Sequence, residues 1–181
     1  MLALRLDIAV FEGSGVVPQL RGLKNVAGIQ SVSMGANGGA FTSLDPVADA
    51  IALLESANAV PSAIAMHPRT WATVRKLKDT TNAPLVAESP AVAAPRTLFG
   101  VPVYASAQLA TNESQGTATT ASSIYVYAAG EVVLVRRADA EIELDRSRLF
   151  DRDMSEMRGK LRADLIVPNP SAVVRIAGVT P

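Results

Sequence analysis

The feature that most constrains this chain is a change of hydrophobic period near residue 98. Before it, apolar residues recur every three to four positions; after it, they alternate with polar ones. A helix buries a stripe of its surface and a strand buries alternate side chains, so the switch predicts helices first and strands afterwards. One mixed α+β chain follows, with two main helices lying on a mainly antiparallel sheet.

Residues 1–12 (MLALRLDIAVFE) set Leu2, Leu6, Ala9 and Val10 on one stripe and predict a short helix, stopped by GSG at 13–15. The stretch to about residue 43 reads as loop, with GANGG at 35–39 its most flexible part. A helix is expected over residues 46–58, capped by Asp45, with Pro46 in its first turn and Val47, Ala50, Ile51, Leu54 and Ala57 inward. Residues 62–66 read as a buried strand. Residues 68–78 read as a second helix, with Trp71, Val74 and Leu77 facing the core.

Strands are then expected over residues 99–104, 124–127, 131–136, 141–144, 157–167 and 172–177. Pro102 donates no hydrogen bond and marks the first of these as an edge. Two polar or Pro-rich segments, 79–96 and 108–123, intervene. The second has almost nothing to bury and is expected to be mobile.

Composition removes several functional classes. The chain has 181 residues, 49% of them hydrophobic, enough for one core with a small extension. Seventeen basic residues balance 17 acidic ones. No cationic excess exists to neutralise phosphates, so no specific nucleic-acid partner is expected. With no cysteine and only His67, disulfides, thiolate metal sites and multi-histidine sites are excluded within one chain. No apolar run approaches the roughly 20 residues that span a bilayer, and the amino terminus is too short and too soon charged for a signal peptide. A cytoplasmic protein without metal or cofactor is expected.

Catalytic readings fare poorly against bland ones. His67 precedes Pro68 where a strand meets a helix; a capping role outweighs a catalytic one, since no nucleophile motif accompanies it. The glycine-rich runs at 13–15 and 35–39 match neither GxGxxG after a strand nor GxxxxGK[ST], so they read as turns. Glu141 and Glu143 share a strand face near Asp151 and Asp153, but Arg136, Arg137, Arg146, Arg148, Arg152, Arg158 and Arg162 interleave with them. Mixed charge of this kind suits subunit contacts first, solvation second, and acid–base work last. The candidate interface residues are Arg96, Arg136, Arg137, Glu141, Glu143, Arg146, Arg148, Arg158 and Arg162; catalytic, cofactor and metal residues are expected to be absent.

The order of segments resembles the major capsid proteins of tailed bacteriophages that share the HK97 fold, which encapsulin shells also use. LDIAVFEGSG at 6–15 with Pro18 and LRGL at 20–23 resembles the family segment that follows its long spine helix. AIAMHPRTW at 63–71, running on to LKD at 77–79, resembles the family's strand, turn and helix. LFGVPV at 98–103 resembles the next strand, and residues 142–150, Arg158, Arg162 and PSAVV at 170–174 resemble the closing pattern.

The resemblance implies a structural shell subunit rather than an enzyme, assembled from copies of itself as pentamers or hexamers in the host cytoplasm and housed in the virion. Further capsid or portal subunits are implied as partners. It implies that residues 1–19 are a residual helix and linker, 20–135 with 171–181 a wedge-shaped A-like domain, and 136–170 the strands of a P-like domain. Segments 79–97 and 109–122 become candidate loops near the capsomer centre. The family's N-terminal arm, E-loop and spine helix would precede Met1. A truncated or remnant prophage gene, an internal start, or a half whose missing part is encoded separately is therefore expected, with an apolar face left open on residues 131–136, 142–144 and 161–167 unless another chain covers it. The family's P-domain cross-linking positions fall on Asp153 and Lys160, so that chemistry is expected to be lacking. The alternatives are a degenerate or regulatory fragment that binds full-length subunits and, of another class, a small enzyme.

Overall fold

The computed structural model describes residues 2–86, 96–145, 147 and 152–181. Among the described residues three α-helices, α1 (Leu2–Glu12), α2 (Asp45–Ser56) and α3 (Pro68–Arg75), accompany two sheets. The larger sheet runs in the order β1 (Gln30–Ser33), β10 (Val173–Thr180), β7 (Ala118–Tyr127), β3 (Ala63–Met66), β5 (Val101–Ala105), β4 (Thr97–Leu98). Two short strands extend it: β2 (Gly39–Ala40) pairs with β10, and β6 (Glu113–Gln115) pairs with β7. β8 (Val133–Asp145) and β9 (Glu156–Ile166) form a separate antiparallel ribbon.

The large sheet is mixed rather than mainly antiparallel. β1 and β2 run parallel to β10, and β3 runs parallel to β5. In the second pairing α3 and β4 lie between β3 and β5, and the tight turn from antiparallel β4 sets β5 running the same way as β3.

Both faces of this sheet are covered, which explains why all four residues of β3 are buried instead of alternating. On one face, Ile64, Met66, Ile124, Val126, Val174 and Ile176 pack against Val47, Ala50 and Leu54 of α2 and Trp71 and Val74 of α3. On the other, Ala65, Tyr125 and Val173 pack with Leu23 and Leu165, and with Val10 and Phe11 of α1. Trp71 is core, as its place on the helical stripe required.

Several expectations need correction. α2 starts at Asp45, with Leu44 as its N-cap and no side-chain cap bond; Asp45 sits in the first turn, where its charge complements the helix dipole. α3 ends at Arg75, not Lys78. The chain then folds around Asp79, whose carboxylate accepts the backbone N–H groups of Thr81 (2.8 Å) and Ala83 (2.9 Å). β5 is not an open edge, since β4 flanks it and the Val103 N–H reaches the Arg96 carbonyl at 2.7 Å. The predicted strands at 131–136 and 141–144 are one 13-residue strand, β8.

The largest departure concerns residues 108–123, which are not a mobile segment. β6 and the start of β7 form a hairpin there, turning at Gly116 with φ +56°, and Glu113, Ala121, Ser122 and Ser123 are buried. The 35–39 loop is tied to it. Gln115 Nε2 donates to the Gly35 carbonyl at 2.7 Å, and the Thr117 N–H donates to Asn37 Oδ1 at 3.1 Å. Two polar segments, neither with a core of its own, satisfy each other's hydrogen bonds.

Candidate subunit interface

Strand pairing sorts the side chains of the β8–β9 ribbon onto two unlike faces. Glu141 lies opposite Lys160, Glu143 opposite Arg158, and Asp145 opposite Glu156; Ile142 lies opposite Gly159, and Leu144 opposite Met157. Since side chains alternate along a strand, the first set shares one face and the second set the other. Irregularities in register between Arg136 and Glu141 leave this sorting intact on β9, where Leu161, Ala163 and Leu165 continue the apolar face towards α1.

That apolar face is covered only near the body. α1 has 11 residues, about 16 Å of helix, whereas the 11 residues of β9 extend about 37 Å. Leu165 is buried beneath Val10 and Phe11, but farther out Ile142 is 70% exposed, Leu144 51% and Met157 69%. Between α1 and β9 lies a groove of about 1040 Å³, floored by Leu6, Ala9, Leu161 and Ala163 and edged by Arg5 and Arg162. Every residue of β8 is exposed.

The charged candidates are only partly brought together. Glu143 meets Lys160 at 2.5 Å and Arg158 at 3.7 Å, so these three satisfy one another within the ribbon. The Lys160 hydrogen bond and the two positive charges hold the Glu143 carboxyl below its ordinary range. Arg136 pairs with Asp139 at 3.5 Å, at the irregular stretch that also holds Arg137. Glu141 and Arg162 share the charged face. Arg96 stands apart, beside β4 at the far edge of the large sheet. Arg146 and Arg148 lie outside the described residues. Among the described residues no group of three potential metal ligands occurs, and no helix is long and apolar enough to cross a membrane.

His67 takes the capping role. It is the N-cap of α3, and its Nδ1 accepts the Arg69 backbone N–H at 2.9 Å. Burial, then the Arg69 charge, lower its pKa. Only a neutral imidazole has a lone pair to cap with, so this contribution is present above about pH 6.5 and is lost as the pH falls through the lowered value. His67→Ala is expected to cost about 1 kcal/mol, measured by chemical denaturation at pH 7.5, with the difference shrinking in mild acid.

A second polar centre escaped the sequence reading altogether. Buried Glu113 meets Lys24 at 2.6 Å and Arg175 at 3.2 Å, and accepts a short hydrogen bond from the Ser123 hydroxyl. Lys24 also meets Glu12 at 3.0 Å, and Arg175 Nε donates to Ser123 at 2.9 Å. Tyr125 lies against the same group, and burial raises its pKa. Five separate elements contribute, and nothing in the local pattern around Glu113 distinguishes it from a solvated acid.

The phage capsid family model matches residues 1–178, nearly the whole chain. The chain belongs to the phage capsid family. Solved structures agree on the fold, which is HK97-like. The capsid of an empty GTA particle superposes with TM-score 0.71 at 22% identity, over 99% of this chain and 65% of that one. Gordonia phage Cozz gives 0.71 at 16%, over 97% and 59%. The holo encapsulin complex of Synechococcus elongatus PCC 7942 gives 0.70 at 15%, over 99% and 62%. This chain thus spans less than two thirds of the length of each. Comparison with curated protein sequences gave no match.

Proposed function

We propose that this chain is a structural subunit of a phage-type shell, binding copies of itself as pentamers or hexamers in a capsid assembled in the bacterial cytoplasm. Residues 20–135 with 171–181 form the A-like wedge, residues 136–170 the P-like ribbon, and residues 1–19 the helix and linker that join them. The observation that carries this reading is the ribbon. Two strands alone are marginal in water, yet this pair is long and leaves Ile142, Leu144 and Met157 exposed along one face. Such a face gains most by meeting another subunit. Glu141, Glu143, Arg158 and Arg162 on the opposite face, with Arg96 and Arg136, would orient neighbours more than bind them, since exposed pairs contribute little.

The open groove beside α1 favours a second reading, in which the chain joins larger capsid or portal subunits and completes its ribbon against them. Size-exclusion chromatography and negative-stain microscopy of the purified chain over a rising concentration series test the first reading. Rings or shells are expected. A strict monomer at every concentration overturns self-assembly, and mixed particles on co-expression with an intact capsid protein would then support the second.

A further inference from the structure

The buried charges beneath α1 join two parts of the molecule. Glu12 ends α1, and Lys24 lies in the turn of helix at Leu23–Asn25. Glu113, Ser123 and Arg175 belong to the sheet, on β6, β7 and β10. The groups facing Glu113 are therefore Lys24, with Glu12 behind it, from the amino-terminal segment, and Ser123, Tyr125 and Arg175 from the sheet. Two acids and two bases balance. Glu113 touches both cations, whereas Glu12 touches Lys24.

We propose that this cluster is an acid-operated latch, holding residues 9–26 on the sheet while Glu113 is charged and releasing them when Glu113 is protonated. Removing that one charge leaves Lys24 to Glu12 and takes from half-buried Arg175 the carboxylate it touches, and a partly buried cation that loses its partner is costly. The helix-covered face of the sheet shares none of these residues, so it stays closed. Phe11 and Leu23 keep part of their apolar contact, so the opening is local rather than global. Burial pushes Glu113 up, but the hydrogen bonds from Lys24 and Ser123 and the charges of Arg175 and Lys24 outweigh it and hold its carboxyl below the ordinary value. A depressed carboxylate stabilises above its unfolded pKa and loses that contribution as the pH falls through its folded one, which puts release on the acid side of the ordinary glutamate range.

The latch does not depend on the shell reading and is tested on the full chain, assembled or not, by hydrogen exchange corrected for intrinsic rates. The amides of Gly13, Gly22, Asn25 and Val26, all hydrogen-bonded in this segment, report on it. In the native chain their protection should fall several-fold between pH 7 and pH 3, while β3, β7 and β10 stay protected. Glu113→Gln should show the loosened state already at pH 7 and no further change in acid. Lys24→Met, which leaves the sheet untouched, should loosen the same amides at pH 7 and decides the matter if Glu113→Gln does not fold. Unchanged protection in the variant that folds, or opening of segment and sheet together, overturns the latch.

Discussion

Replacing Ile142, Leu144 and Met157 together with serine is expected to leave the chain folded and to abolish its association with other subunits. All three are exposed on the open face of the ribbon, so the isolated chain loses little when they change. Covering such side chains in an interface is worth about 1–2 kcal/mol each, so one contact loses roughly 3–6 kcal/mol, more than a hundredfold in affinity. A closed shell repeats the contact around every axis, which compounds the loss. Sedimentation velocity reads the assembly and thermal unfolding reads the fold. Normal assembly by the triple variant would place the working interface elsewhere.

Gly22→Ala, like Gly13→Ala across the same crossing, should be strongly damaging for a single methyl. Gly22 has φ −74°, a conformation any residue adopts, so strain in the backbone is not the reason. The chain crosses itself here: the Gly22 N–H donates to the Gly13 carbonyl at 2.9 Å. A Cβ on Gly22 would lie 2.4 Å from the Gly13 nitrogen and 2.7 Å from the Ala9 carbonyl oxygen, both backbone atoms that a rotamer change cannot move. The expected cost is about 3 kcal/mol. For a chain of this size that is roughly 6–12 °C in the unfolding midpoint. Gly130→Ala is the control, because nothing lies within 4 Å of its added methyl, and it should shift the midpoint by no more than a degree or two. Equal shifts for the two would show that the crossing tolerates separation.

The Gly22 case also shows what kind of information a sequence carries. The glycines at 13 and 22 stood in a pattern resembling the phage capsid family, but their reason, one backbone passing over another, belongs to the fold. His67 was legible in full. Its position before Pro68 predicts an N-cap, and a cap is made with a residue two places on, within reach of local geometry. The amphipathic ribbon was legible too, because alternation along β8 and β9 survives whatever they pack against.

What the sequence determined by itself is the set of local elements: α1, α2, β3, α3, the later strands, and the family pattern they spell in order. Periodicity and capping act over a few residues, so neighbours in the chain suffice to specify them. Tertiary structure alone decided that β1 and β2 exist, that the large sheet is mixed, and that residues 113–123 are ordered. Glu113 meets Arg175 across 62 residues, and Gln115 meets Ser33 across 82. A polar side chain is buried only where distant partners replace the water it loses, and which partners arrive is set by how the sheet closes.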